Sequence, residues 1–122
     1  MKDLSNHMLK HPCPFIVKIF DCFLTENNIY LVLEFCDDGD LSGDLQKRNR
    51  IPEAEGKVII YQIVRALDFI AGLGVIHRDL KPDNIFKMKT QCGSIYKLGD
   101  FGLAVAKKNE TQTAGTAPYM AP

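Results

Sequence analysis

The sequence has 122 residues, 15 basic side chains against 15 acidic ones, a formal net charge of zero and 46% hydrophobic residues. That length suits one ordinary domain with its own core, and the balanced charge gives no reason to expect nucleic acid or an anionic membrane as a partner. No apolar run reaches membrane-spanning length, the start Met1-Lys2-Asp3-Leu4-Ser5-Asn6-His7 lacks a signal-peptide core, and Cys13, Cys22, Cys36 and Cys92 are scattered without a C-x-x-C spacing, so reduced, mostly buried thiols of a cytoplasmic or nuclear protein are expected.

Residues 3–10 read as a short helix with Leu4 and Met8 on one face, stopped at His11-Pro12 because proline disfavours the α conformation before it. His7, His11 and Cys13 could hold a metal, but ordinary histidines at a helix end account for the same spacing. Phe15-Ile16-Val17-Lys18-Ile19-Phe20 reads as a strand, residues 21–28 as a hairpin connection with turn chemistry at Thr25-Glu26-Asn27-Asn28, and residues 29–35 as a second strand rich in β-branched and aromatic residues. An acidic, glycine-containing turn follows, Cys36-Asp37-Asp38-Gly39-Asp40-Leu41.

Residues 41–50 read as a short helix ending in the basic run Lys47-Arg48-Asn49-Arg50, which suits a helix C-terminus and otherwise reads as a solvated face. Pro52 suits the first turn of the next helix, and Glu53 and Glu55 complement its dipole. Ile59, Ile60, Ile63, Val64, Leu67 and Ile70 recur at helical spacing, predicting a buried support helix over 53–71 that ends at Gly72 and Gly74. Ile85-Phe86-Lys87-Met88 and Ile95-Tyr96-Lys97-Leu98 read as a strand pair around a turn at 90–94.

Between the long helix and the strand pair stands His77-Arg78-Asp79-Leu80-Lys81-Pro82-Asp83-Asn84, answered sixteen residues after Asn84 by Asp100-Phe101-Gly102. Five specified residues in an eight-residue window arise by chance roughly once in millions of windows at average residue usage. The two stretches resemble the H-R-D-L-x-x-x-N catalytic loop and the D-F-G of protein kinases.

The resemblance implies an α+β, protein-kinase-like two-lobe fold, incomplete at both ends: an N-lobe remnant over 1–35, a hinge over 36–40 and part of the helical C-lobe over 41–122. It also implies ATP, Mg²⁺ and a protein substrate. Asp79 would orient the substrate hydroxyl and accept its proton, Lys81 would reach the γ-phosphate, and Asn84 and Asp100 would offer oxygens to Mg²⁺. At the hinge, Leu33 would be the gatekeeper, the backbone of Glu34 and Cys36 would pair with adenine, Asp40 would face the ribose and Phe86 would lie under the base. Phe101 would pack with His77.

The stretch Gly115-Thr116-Ala117-Pro118 resembles the end of an activation segment, and Arg78 would pair there with a phosphorylated Thr111 or Thr113, with Thr116 close by. Lys81-Pro82 and Gly115-Thr116 look like the serine/threonine class, and the hinge with Phe86 is similar to NIMA-related kinases. These 122 residues carry no G-x-G-x-x-G loop and no V-A-I-K strand, and Lys2, next to Asp3, stands where the family's helical Glu is expected. Low or no activity is therefore expected of the chain alone, with a non-catalytic kinase-like binding module or a truncated gene product as the alternative. A kinase-like small-molecule phosphotransferase fits the activation segment less well.

Overall fold

The computed structural model describes residues 13–101 and a two-residue strand at 105–106. The helix expected at 3–10 with His7 and His11, the residues Lys2 and Asp3, Gly102, and Thr111, Thr113 and Thr116 lie outside the described residues.

The first ladder is an antiparallel hairpin of β1 (Ile19–Leu24) and β2 (Ile29–Leu33). The first strand is displaced toward the C-terminus from its expected position at residues 15–20. Asp21 to Leu24, read as connection, pair with Val32 to Ile29 instead, and the reversal is confined to Thr25–Asn28, where the Thr25 N–H donates to the Asn28 carbonyl at 2.8 Å. Cross-strand stacking of Phe23 on Tyr30, centroids 5.2 Å apart, supports the extended pairing. Residues 15–17 run elsewhere: the Val17 N–H donates to the Leu98 carbonyl and the Leu98 N–H to the Phe15 carbonyl.

Helix α1 spans Leu41–Arg48, two residues shorter than expected, and Asn49 closes it in a left-handed conformation at φ 63°. Helix α2 spans Glu53–Gly72 and leads through Leu73 and Gly74, at φ 72°, into β3 (Val75–Ile76). A Cβ at Gly74 would strain that left-handed turn, so glycine is the natural residue there. β3 pairs with β6 (Val105–Ala106), and β4 (Ile85–Thr90) pairs with β5 (Gly93–Leu98) about a tight turn at Gln91-Cys92.

One stripe of α2, Ile59, Ile63, Ala66 and Ile70, is buried against β5 and forms the core with Ile16, Ile19, Ile85, Tyr96, Leu98 and Phe101. Each buried isoleucine contributes about 1.5–3 kcal/mol relative to an exposed one. The outer edge of β5 is sealed by two contacts: Gln62 Oε1, buried on α2, accepts the Tyr96 N–H at 2.7 Å, and the main chain at 15–17 takes up Leu98. Ile60 and Val64, expected in the core, are instead 63% and 54% exposed, beside the exposed Tyr61. Periodicity marks an apolar face but does not say what covers it. Of the four cysteines, all free, Cys13 is buried, Cys22 and Cys36 are half-buried and Cys92 is exposed, so burial is less general than expected. Among the described residues no helix is long and apolar enough to cross a membrane.

Candidate active site

The loop after β3 is held by a buried histidine. Nδ1 of His77 accepts the Asp79 N–H at 3.1 Å, so its Nε2 carries the proton and donates to the Gly99 carbonyl at 2.7 Å. The Phe101 ring meets the imidazole edge-on at 5.1 Å, the packing expected of this pair. Arg78 and Asp100 both adopt left-handed backbone, at φ 70° and 54°, which is uncommon for residues with a Cβ and concentrates at functional sites.

Pro82–Asn84 form a single 3-10 turn that brings Asn84 back toward Asp79. The amide nitrogen of Asn84, itself 4% exposed, donates to the Asp79 carbonyl at 2.8 Å and to Asp79 Oδ2 at 3.2 Å. Lys81 Nζ stands 3.9 Å from the same carboxylate oxygen. The Asn84 carbonyl accepts the Gly99 N–H at 2.9 Å, so Asn84 sits one residue from Asp100 across a main-chain hydrogen bond. Asp79, Lys81, Asn84 and Asp100 are thus gathered at one place by β3, the 3-10 turn and the end of β5.

Beside them opens a cavity of about 360 Å³ lined by Val17, Leu33, Glu34, Phe35, Cys36, Phe86, Gly99 and Asp100. Leu33, Glu34, Cys36 and Phe86 therefore meet where the sequence expected a base to bind. Asp40 is not in this lining. Its Oδ1 accepts the Gly43 N–H at 2.8 Å and caps α1, and its main chain bridges Phe86. The turn at 37–40 is laced to β4: the Asp38 N–H donates to the Lys87 carbonyl, the Lys87 N–H to the Gly39 carbonyl, and Lys87 Nζ reaches Asp44 at 3.1 Å and Asp38 at 3.7 Å.

An ion pair ties the cavity-lining Glu34 to β5. Lys97 Nζ lies 2.8 and 2.9 Å from the two Glu34 carboxylate oxygens, and Glu34 Oε2 also accepts the Lys18 N–H at 3.0 Å. Burial alone would raise the Glu34 pKa, but the hydrogen bonds from Lys97 and Lys18 and their charges outweigh it, so the carboxyl lies below its ordinary value. Burial, reinforced by the neighbouring Glu34 charge, pushes the Cys36 thiol up and keeps it protonated.

Lys97, Val17 and Gly99 were not singled out from the sequence. A lysine inside the apolar run Ile95-Tyr96-Lys97-Leu98 is a signal for a buried partner, and a glycine at the end of a strand is a signal for close approach.

The family described as protein kinase domain matches residues 4–122. The chain is 35% identical over 112 residues to serine/threonine-protein kinase ATG1a of Arabidopsis thaliana, covering 89% of this chain and 18% of that protein. It is 42% identical over 113 residues to ribosomal protein S6 kinase alpha-2 of Mus musculus, covering 89% and 15%. With the cell cycle serine/threonine-protein kinase CDC5/MSD2 of Saccharomyces cerevisiae the identity is 39% over 113 residues, covering 89% and 16%. The chain thus spans less than a fifth of the length of these relatives. They carry the NIMA-related subfamily suggested by the hinge no further. The match runs through both the His77–Asn84 loop and Asp100, and the chain belongs to the protein kinase domain family, with serine/threonine kinases as its relatives.

Proposed function

We propose that the chain carries the nucleotide-binding and phosphoryl-transfer residues of a serine/threonine protein kinase, moving the γ-phosphate of ATP to a hydroxyl of a protein substrate. The observation that supports this best is Asn84, whose buried amide nitrogen is engaged by Asp79. Its Oδ1 is then the atom left for a cation, and Asp100 on the cavity wall offers a carboxylate. One neutral and one charged oxygen fit Mg²⁺, which takes few protein ligands and completes its shell with phosphates and water. When bound, the ion neutralises charge on the β- and γ-phosphates.

Asp79 orients the attacking hydroxyl and accepts its proton, and Asn84 holds that carboxylate in place. Lys81 sets a positive charge beside it for the transferred group. Leu33 and Phe86 flank the adenine. Because the Glu34 N–H donates to the Lys18 carbonyl, the Glu34 carbonyl and the Cys36 main chain are the groups for the adenine edge. Any ribose contact of Asp40 falls to Oδ2, since Oδ1 caps α1. Arg78 pairs with a phosphorylated Thr111 or Thr113, and Thr116 is a further regulatory residue of the same segment. The free thiols suit a cytoplasmic or nuclear setting.

The test is titration of the chain with ATP, with and without Mg²⁺, beside Asp100→Ala. Mg²⁺-dependent binding that Asp100→Ala abolishes is expected. A wild-type chain that binds no nucleotide would overturn the reading in favour of a non-catalytic module, for which the exposed Ile60, Tyr61 and Val64 face on α2 is the supporting observation.

A further inference from the structure

We infer that Gly99 is a positioning residue for the base end of the cavity: the missing side chain makes room for the Phe86 ring and so holds that ring out of the space a purine would fill. This rests on the nucleotide reading given above. A Cβ built on Gly99 would lie 2.6 and 2.8 Å from two carbons of the Phe86 ring and 3.1 Å from Val17 Cγ2. Carbon atoms pack at about 3.5–4.0 Å, so the ring would have to move by about 1 Å.

The backbone around Gly99 gives it no way to retreat. Its N–H donates to the Asn84 carbonyl and its carbonyl accepts from His77, so withdrawing it would pull on both sides of the catalytic loop. Val17 is anchored through its N–H to the Leu98 carbonyl. Phe86 and Val17 both line the cavity, and the ring takes the larger overlap, 2.6 and 2.8 Å against 3.1 Å for Val17 Cγ2, so the ring has farther to move. A methyl group at position 99 therefore drives the Phe86 ring into the cavity. Gly99 does not have a left-handed φ, so alanine there adds no backbone strain of its own and the effect is steric. Glycine at 99 and phenylalanine at 86 form a matched pair, large opposite small, and a smaller side chain at 86 would tolerate a larger one at 99.

The experiment compares the wild-type chain, Gly99→Ala, Phe86→Leu and the double variant, measuring ADP binding with Mg²⁺ and the thermal melt of each. Magnesium tripolyphosphate, which has no base, serves as the control ligand. Gly99→Ala is expected to weaken ADP by about tenfold or more, leave tripolyphosphate unchanged, and regain ADP affinity to within about threefold when Phe86→Leu is added. ADP affinity unchanged in Gly99→Ala, equal losses for both ligands, or no recovery in the double variant would overturn the inference. If the wild-type chain binds no nucleotide, the proposed function fails by itself. The melts then decide the packing: a Tm lowered by Gly99→Ala and restored by Phe86→Leu upholds the matched pair, and purely additive changes refute it.

Discussion

Lys97 and Glu34, 63 residues apart in sequence, meet as a two-pronged ion pair with Nζ 2.8 and 2.9 Å from the carboxylate oxygens. The lysine side chain is 4% exposed and the glutamate 12%, so this is a buried contact joining the end of β5 to the residue after β2. Removing one partner from such a pair leaves the other charge uncompensated. Lys97→Met is expected to lower stability by about 3 kcal/mol, the low end for such losses because Glu34 borders an open cavity. Urea denaturation measures this, and a change below about 0.5 kcal/mol would show the pair to be dispensable.

The same pair sets an acid limit. The folded-state pKa of Glu34 lies below its ordinary 4.5, so the unfolded chain holds the proton more tightly. The stabilisation is complete above that ordinary value and is lost as pH falls through the folded-state pKa. The gap in stability between wild type and Glu34→Gln should therefore be constant near neutrality and shrink below about pH 4.5. Chemical denaturation at several pH values tests it, and a gap that widens on acidification would contradict the sign.

His77 joins two main-chain groups, the Asp79 N–H and the Gly99 carbonyl. His77→Ala both empties a buried ring position and leaves these groups without their partner, at a cost of about 2–4 kcal/mol. The thermal melt should fall accordingly. A melt within the range of ordinary surface substitutions would mean that water takes over both hydrogen bonds.

Asp79→Asn keeps the size of the side chain and an oxygen for Asn84 but removes the proton acceptor. Phosphorylation of a serine- or threonine-containing protein by a chain that shows such activity should drop by about 10²–10⁴-fold, with Mg²⁺-ATP affinity changed by less than about threefold. Equal losses in binding and turnover would assign Asp79 to nucleotide binding instead.

Ile60, Tyr61 and Val64 share one exposed face of α2, and an apolar face of that kind favours association. Ile60→Lys with Val64→Lys should leave the melt within about 0.5 kcal/mol in stability terms and reduce self-association in light scattering. A large loss of stability would mean that the face is covered within the chain.

Long periodic elements were the most legible part of the sequence. The stripe from Ile59 to Ile70 and the glycines at 72 and 74 mark α2 nearly to the residue, and the His77–Asn84 and Asp100 motifs name the residues that the fold gathers. The start of β1 was not legible, because residues 15–20 form an apolar run broken only by Lys18, which carries no mark of the irregular register between Ile19 and Asp21. The Lys97–Glu34 pair and the Gln62–Tyr96 contact were equally hidden, since partners 63 and 34 residues apart leave no local trace. Asp40 shows a different limit: an acidic residue before a helix reads alike as a ligand contact or as a cap, and only the Gly43 N–H reveals that one oxygen is already in use.

Leu98, fully buried, grips the main chain on both sides of Ile16, through Phe15 and Val17. Val17 is also the cavity wall at the root of the β1–β2 hairpin, and the hairpin rejoins the rest of the chain at Glu34. The exposed hairpin is thus joined at its root to the buried Leu98, and that root forms part of the cavity wall. Val17 therefore serves two surfaces at once, so a substitution that repacks it against Leu98 also reshapes the cavity, while the tip at Thr25–Asn28 lies outside that lining.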